Sequence, residues 1–391
     1  MALRFYDRTL DAASVLRDGT HRAATLDATW RRFAKARVRA GITRVADLTG
    51  LDTIGIPVFA AIRPMGRSLS TQQGKGITAD AARVSALMES LETWTAEHLA
   101  LPVVHGSYRA LKARAVDIRR LPRPAGRLDL GARRRWVEGW DLARGCAVLV
   151  PEQAVTLDTT FTTAPAFDIS SNGLASGNVL VEAIVHGLCE VIERDAEAAW
   201  RRAGGDRRIV LDSITDPICR GLIDRITAAG ARVFVWDLGC DLIPVVGCAI
   251  MEDPNEPAWR ALGFYQGFGA HLVPEVAVAR ALTEAAQTRV TYIAGGRDDF
   301  FPFDYARATD PELLAEIWER LAAPCDEPAM FDELPRITTG GLGEDLEVLV
   351  DRLRAAGSES VIAVELTHPQ LRVPVAKVLV PGRATDVEAM G

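Results

Sequence analysis

The sequence has no cysteine spacing that suits zinc, no long apolar run and no excess of basic charge. Its six cysteines include no CxxC pair and suit a reducing compartment. No stretch is apolar over the length that a bilayer requires, and Arg4, Asp7 and Arg8 interrupt the start, so we expect neither a membrane span nor a signal peptide. A net charge of −7 argues against a general nucleic-acid binder. The composition therefore predicts a cytoplasmic protein that acts on something other than nucleic acid.

The chain also lacks a Walker phosphate-binding motif. Lys75, in the stretch STQQGKGIT, is followed by Gly76 where that motif requires Ser or Thr. The Gly-Lys-Gly run nevertheless directly precedes a predicted helix that begins at Ala79, with Thr78 as its cap and Asp80 in its first turn. Free backbone N–H groups and the helix dipole attract anions at such a position, although an ordinary flexible turn has the same composition.

A line of carboxylates follows a second Gly-rich turn, SSNGLASGN. Most positions between 179 and 202 are apolar, but one narrow stripe at helical spacing is polar. This stripe consists of Glu182, His186, Glu190, Glu193 and Glu197. We expect it to be half buried, and buried carboxylates need bound divalent metal, arginine partners or both. Mg²⁺ is the natural ion because it prefers carboxylate and phosphate oxygens; the alternative is a solvated acidic face.

Two further predicted helices carry matching side chains. The helix that begins at residue 79 places Ser85, Glu89 and Glu92 at the same four-then-three spacing as the second half of the stripe. A third helix, near residues 275–292, carries Arg280 and Glu284 four positions apart. We expect the three helices to surround one polyanion, with glutamates holding metal and arginines holding phosphate oxygens. The related patterns also indicate a weak internal repetition, which spacing alone can produce.

The rest of the chain predicts a mixed α and β protein. Residues 231–238, 242–250 and 373–380 are rich in β-formers, and residues 214–230 predict a helix that ends at Gly230. With 391 residues, 48% of them hydrophobic, the chain can bury a large core, and no Pro/Ser-rich linker divides it. The predicted fold class is α+β, with residues 1–40 as an arginine-rich helical extension and residues 41–391 as the main domain.

The most specific pattern in the chain consists of three blocks. They are GKGITADAARVSALMESLE (74–92), SNGLASGNVLVEAIVHGLCEVIERDA (171–196) and ARALTEAAQTR (279–289). In order and content they resemble the signature blocks of the YcaO family, ATP-dependent enzymes that modify peptide backbones. Residues 41–64 are similar to the leader of stand-alone YcaO proteins that work with a TfuA partner, and residues 361–382 to the closing strands of the family. The resemblance implies a YcaO-like fold, in which mixed sheets and helices line a central Mg-ATP site.

The resemblance also implies which residues form the nucleotide site. The implied metal ligands are Glu89, Glu92, Glu182, Glu190, Glu193 and Glu284. Besides these glutamates, the implied contacts of ATP are Lys75, Ser85, Asn178, Arg194 and Arg280. The implied catalytic residues are Glu190, Glu193, Arg194 and Arg280. Metal and guanidinium charge would stabilise the charge that develops during phosphoryl transfer.

The chemistry of the family implies how an amide would be activated. A nucleophile adds to a peptide carbonyl, the oxyanion attacks the γ-phosphate of ATP, and phosphate leaves with the amide oxygen. A neighbouring Cys, Ser or Thr of the substrate gives an azoline, as in the biosynthesis of ribosomally made, modified peptides (RiPPs), whereas external sulfide gives a thioamide. Azoline-forming members often end in a proline-rich tail, but this chain ends VPGRATDVEAMG. Together with the TfuA-type leader, this tail favours backbone thioamidation.

Several partners and alternatives accompany this prediction. The substrate is a peptide or protein, a TfuA-like protein delivers the sulfur, and a second copy of the chain is a candidate partner in a homodimer. The alternatives are an azoline-forming cyclodehydratase and a nucleotide-binding accessory protein without its own amide chemistry. The apolar neighbours of Cys189 predict a packed thiol rather than a nucleophile or persulfide carrier.

Overall fold

Helices and strands alternate along most of the chain in the computed structural model, which describes residues 3–160, 165–257 and 259–383. The helices are α1 (Leu26–Phe33), α2 (Ala36–Arg39), α3 (Ala79–Glu97), α4 (Tyr108–Leu111), α5 (Leu180–Ala203), α6 (Pro217–Ala228), α7 (Pro274–Ala294), α8 (Pro302–Ala308), α9 (Pro311–Ala322) and α10 (Leu342–Ala355). The strands are β1 (Arg4–Phe5), β2 (Arg8–Thr9), β3 (Arg44–Asp47), β4 (Val58–Ile62), β5 (Thr71–Lys75), β6 (Val104–Ser107), β7 (Arg133–Asp141), β8 (Cys146–Pro151), β9 (Leu174–Ser176), β10 (Ala231–Asp237), β11 (Val245–Glu252), β12 (Phe264–Ala270), β13 (Ile362–Glu365) and β14 (Val375–Leu379). None of the helices in these ranges is long and apolar enough to cross a membrane.

The strands form antiparallel sheets. The largest sheet has six strands in the order β6-β7-β13-β14-β9, with β8 on the other side of β7. Two three-stranded sheets have the orders β3-β4-β5 and β10-β11-β12, and β1 pairs with β2. In the large sheet Lys377 of β14 lies opposite Leu174 of β9. Sheets and helices mix along the chain, so the predicted α+β class is confirmed.

The local predictions agree with the observed elements. Thr78 caps α3, and its hydroxyl accepts a hydrogen bond from the backbone N–H of Ala81 at 3.2 Å. The predicted strands appear as β10, β11 and β14, and the predicted helix over residues 214–230 appears as α6. Gly230 follows α6 with a φ of 87°, a conformation that favours glycine. The last residues of the terminal stretch, 384–391, lie outside the described ranges.

Three strand-turn-helix units position the predicted site: β5 with α3, β9 with α5, and β12 with α7. In two of them a glycine lets the strand approach its helix very closely. A Cβ atom on Gly74 would lie 2.0 Å from the backbone nitrogen of Ala86, and one on Gly267 would lie 2.2 Å from that of Ala285. The weak sequence repetition therefore has a structural counterpart, because the same strand-to-helix packing recurs.

Each strand also contacts the helix of another unit. On β5, Gln73 bonds to the Thr291 hydroxyl of α7. On β12, Gln266 accepts a hydrogen bond from Arg201 of α5 at 3.1 Å. On β9, the hydroxyl of Ser176 lies 3.4 Å from a backbone carbonyl of α3. The three units thus close around a shared centre.

The N-terminal segment is helical only in its second half. The sequence predicts a helical extension over residues 1–40, but helices cover only Leu26–Phe33 and Ala36–Arg39 of the described part of this segment. Residues 3–25 form a short hairpin followed by turns. Phe5 and Leu10 are buried in the core, so this stretch packs as extended chain rather than as an amphipathic helix.

Candidate active site

Helices α3, α5 and α7 bring five glutamates together at the shared centre; we call Glu89, Glu92, Glu190, Glu193 and Glu284 the carboxylate cluster. Each of these carboxylates lies close enough to another member of the cluster for one of the two to raise the pKa of the other. Lys75 from β5 donates a hydrogen bond of 2.5 Å to Glu284, and Arg194 lies 3.7 Å from the same carboxylate. The sequence prediction that these residues converge therefore agrees with the geometry.

Backbone N–H groups of the strands orient the carboxylates. The N–H of Ala270 donates to Glu193 at 2.9 Å, and that of Phe268 donates to Glu284 at 3.4 Å. On the other side of the cluster, the backbone of Gln73 bonds to Glu89 and the backbone of Ser176 bonds to Glu92. Each strand of the three units thus presents main-chain donors to the centre, which limits how the carboxylates can rotate.

Burial makes the charged form of most of these carboxylates unfavourable. Burial raises the pKa of Glu89 and of Glu190 to about 7 and raises the pKa of Glu92 well above its ordinary value. Burial would also raise the pKa of Glu284, but the nearby Lys75 and Arg194 outweigh it and lower that pKa to about 2. Glu193, buried beside Glu284, has a raised pKa. The cluster therefore favours binding of a further cation.

The donor set fits Mg²⁺ in company with a phosphate. Within residues 3–160, 165–257 and 259–383, no three His, Cys, Asp or Glu side chains lie close enough to hold a metal by themselves. Mg²⁺ is usually held by one or two carboxylates together with substrate phosphates and water, so a complete protein cage is not required. The hard oxygen donors on α3 and α5, and the unfavourable burial of their charge, match that mode of binding.

Two of the predicted residues lie apart from the cluster and contact the N-terminal segment. Glu182 accepts hydrogen bonds from the backbone N–H of Ala23 at 2.9 Å and from Asn178 at 3.3 Å, and Arg22 lies 3.5 Å from its carboxylate. The Thr29 hydroxyl donates to Asn178 at 2.9 Å. The structure therefore places Glu182, predicted as a metal ligand, with residues 22–29 rather than with the other glutamates.

Arg280 joins these two regions. One of its guanidinium nitrogens lies 3.2 Å from Nε2 of His186 on α5, and both side chains line a pocket that Arg22, Glu182 and His271 also line. The charge of Arg280 also acts to lower the pKa of Glu193 and of Glu284. Ser85 is half-buried on α3, one turn before Glu89.

The sequence prediction missed two cations near the cluster. Lys377 is buried, donates to the backbone oxygens of Ser170 and Asn172, and has its pKa lowered to about 8 by burial. Arg297, beyond the end of α7, lies close enough to lower the pKa of Glu89 against the larger effect of burial. The signal for Lys377 is a single charge within an otherwise apolar strand, whereas nothing in the local pattern distinguishes Arg297.

Comparison with known proteins identifies the family. Residues 73–384 match the family model described as "YcaO cyclodehydratase, ATP-ad Mg2+-binding", which is most of the chain. The chain belongs to the YcaO family. It is 38% identical over 360 residues to an "Uncharacterized protein in tfuA 3'region" of Rhizobium leguminosarum bv. trifolii, covering 89% of this chain and 84% of the relative. It is 36% identical over 373 residues to an uncharacterized protein of Methanothermobacter thermautotrophicus, and the match covers 93% of this chain and 96% of the relative.

Two solved structures share the YcaO fold. The structure of YcaO from Methanopyrus kandleri, bound with AMPPCP and Mg²⁺, has a TM-score of 0.77 and 28% identity, covering 97% of this chain and 96% of that one. A heterocyclase in complex with substrate and cofactor has a TM-score of 0.81 at 21% identity, and this chain spans 54% of its length. The predicted YcaO-like fold, the enzyme class and the cofactors ATP and Mg²⁺ are confirmed. The match to the protein in the tfuA region agrees with the TfuA-associated type.

Proposed function

We propose that this YcaO enzyme converts a backbone amide of a peptide or protein into a thioamide, with sulfur delivered by a TfuA-like protein. The observation that carries the proposal is the 38% identity, over most of both chains, to a protein in the tfuA region. Cotranscribed or neighbouring genes commonly serve one reaction, so a TfuA-like protein is the first candidate partner. The arrangement of the carboxylate cluster supports the ATP-dependent part of the reaction.

The proposed site consists of those predicted residues that lie at the carboxylate cluster, together with Arg280, and its members have distinct roles. The pairs Glu89/Glu92 and Glu190/Glu193 would hold Mg²⁺, and Arg194 and Arg280 would contact phosphate oxygens. When bound, ATP supplies the phosphoryl group that converts the amide oxygen into a leaving group. Lys75 donates to Glu284 in this structure and sits at the Gly-rich turn before α3, within reach of an anion at the cluster.

The reaction needs sulfur from outside the chain. Hydrosulfide would add to the carbonyl carbon, and the resulting oxyanion would take the γ-phosphoryl group of ATP and release ADP. The C–O bond would then break as phosphate leaves, while the sulfur loses its proton and the C=S bond forms. Cys189 lines the pocket beside Arg280, but burial raises the pKa of its thiol to about 12. A thiol that stays protonated at neutral pH is a poor sulfur carrier, which agrees with the packed role predicted for it and with delivery by a partner.

An azoline product is the second candidate, and the family description as a cyclodehydratase favours it. Amide activation is the same in both reactions, but the nucleophile is then a Cys, Ser or Thr side chain of the substrate. The two reactions differ in mass: thioamide formation exchanges oxygen for sulfur, whereas azoline formation removes one water.

Mass spectrometry of the substrate distinguishes these products. Extract from cells that lack the gene is incubated with the purified protein, ATP, Mg²⁺ and sulfide, with and without the TfuA-like protein. We expect a polypeptide whose mass changes by the difference between sulfur and oxygen, only when ATP and the TfuA-like protein are both present. Loss of one water would show the azoline reaction instead. The Glu193→Gln variant is the matched control and should leave all polypeptide masses unchanged.

A further inference from the structure

Two aromatic rings lie exposed on the surface beside α8. Phe301 and Phe303 are 54% and 67% exposed, and their rings stack in parallel at a centroid distance of 5.7 Å. Exposed aromatic side chains that hold a fixed arrangement are typical of binding surfaces, where they supply large contact area. We call Phe301 and Phe303 the aromatic pair.

A packed aromatic base supports this surface. Phe300 contacts Tyr292 of α7 with ring centroids 4.6 Å apart and Tyr305 of α8 at 6.1 Å. Tyr292 in turn contacts Tyr265 of β12 at 5.3 Å. The segment that carries the aromatic pair is thus anchored to the same unit, β12 with α7, that contributes Glu284 to the carboxylate cluster.

The segment that carries the aromatic pair begins beside the carboxylate cluster. Arg297, four residues before Phe301, lies close to Glu89, a residue that is exposed on this side although the surrounding protein desolvates its carboxylate. The neighbouring Asp298 accepts a hydrogen bond of 3.1 Å from the backbone N–H of Ser70, just before β5. A polypeptide bound along this segment would therefore extend from the aromatic pair towards the cluster.

The part of the chain that carries the aromatic pair is rich in acidic residues. Between residues 297 and 320 the chain has seven Asp and Glu residues and three arginines, and Arg297 is paired with Asp299. On α9, which follows directly, Glu312, Glu316 and Glu319 are exposed. Such a surface attracts cationic side chains, and aromatic faces add cation–π contacts to Lys and Arg.

We propose that the aromatic pair and the acidic surface of α8 and α9 form the docking site for the polypeptide substrate. The docked segment carries Lys or Arg beside apolar or aromatic side chains. Contacts away from the reacting bond serve catalysis by holding that bond in place, so an enzyme of this class needs such a surface. The proposal rests on the proposed function only in taking a polypeptide as the substrate; it is independent of whether the product is a thioamide or an azoline.

Binding to a defined probe tests this assignment without any chemistry. The probe is a fluorescein-labelled synthetic peptide in which Lys alternates with Phe, Gly and Ser, and its counterpart has Glu in place of Lys. Fluorescence anisotropy is measured with the full chain in the absence of ATP. We expect the basic probe to bind, its affinity to fall with added salt, and the acidic counterpart to bind far more weakly.

Variants then locate the binding. Phe301→Ser with Phe303→Ser should lower the affinity for the basic probe by about tenfold or more, because the interface then loses its aromatic anchors. Val15→Ser with Val38→Ser removes two other exposed apolar side chains, 59% and 78% exposed, and should leave binding unchanged. A charge variant, Glu316→Gln with Glu319→Gln, should lower the affinity for the basic probe and should make that affinity less dependent on salt. ATP binding should be the same in all these proteins, which shows that they are folded.

Three results would overturn the assignment. The first is equal affinity of the basic probe for the wild type and the Phe301/Phe303 double variant. The second is equal binding of the acidic probe. The third is a Phe301/Phe303 double variant that binds the basic probe nearly as well as the wild type but changes its oligomeric state or no longer binds the TfuA-like protein, which would assign the surface to a protein partner. Failure of thioamide formation with probe binding intact would instead contradict the proposed function alone.

Discussion

Replacing Glu190 by Gln should make the metal-free protein more stable at high pH. Burial raises the pKa of Glu190 to about 7 in the folded chain, against 4.5 for an ordinary glutamate. The folded state therefore binds this proton more tightly than the unfolded state. The stability that this tighter binding contributes is complete below pH 4.5 and is lost as the pH rises through about 7. Each unit of pKa difference corresponds to about 1.4 kcal/mol, so the free energy of unfolding of the wild type falls by about 3 kcal/mol over this pH range.

Glutamine keeps the shape of the protonated side chain and carries no charge. We expect Glu190→Gln and the wild type to have similar free energies of unfolding near pH 4.5, and the variant to be more stable by up to about 3 kcal/mol near pH 8. Added Mg²⁺ should stabilise the wild type and should stabilise the variant much less, since a ligand stabilises only the state that binds it. Ion binding thus explains why a destabilising charge is present.

Urea unfolding of chelator-treated protein at several pH values measures these differences. Glu316→Gln, at an exposed carboxylate on α9, is the matched control and should change neither the pH dependence nor the response to Mg²⁺. A Glu190→Gln variant that is no more stable than the wild type near pH 8 would refute the reasoning. It would mean that Glu190 is already neutralised by the protein's own cations.

Three further predictions concern packing and the thiol. Arg63→Met should destabilise the fold by about 3–5 kcal/mol in urea unfolding, because it leaves Glu97 as a buried charge without its bidentate partner. Gly74→Ala should lower the melting temperature sharply, since its methyl group would lie 2.0 Å from a backbone nitrogen of α3; Gly221→Ala on α6, which meets nothing within 4 Å, should be neutral or stabilising. Cys189→Ala should retain product formation in the mass-spectrometric assay, and complete loss in a folded variant would revive a role in sulfur transfer.

The convergence of the glutamates could be predicted because it follows from local periodicity. Glu89 and Glu92, three positions apart on one helix, necessarily share a face, and the same holds for Glu190 and Glu193 on the next. Glycine-rich turns before the helices likewise indicated where strands end. These features need only a few neighbouring residues to specify them.

The remaining parts of the site depend on contacts between distant segments. Glu182 continues the stripe of α5, yet the backbone N–H of Ala23 and the side chain of Arg22 hold its carboxylate, and no spacing rule connects positions so far apart. Lys377 reaches the cluster only because β14 pairs with β9. The N-terminal residues 3–25 were predicted helical from their composition, but burial of Phe5 in the core favours extended chain.

Calorimetric titration with ATP, with and without Mg²⁺, tests whether the carboxylate cluster is the Mg-ATP site. We expect Mg²⁺-dependent binding to the wild type and its loss in Glu193→Gln, whose side chain can still accept the hydrogen bond from Ala270 and therefore keeps the local structure. Binding to the folded Glu193→Gln variant with wild-type affinity, or equal binding of ATP to the wild type without Mg²⁺, would contradict the assignment of the carboxylate cluster as the Mg-ATP site.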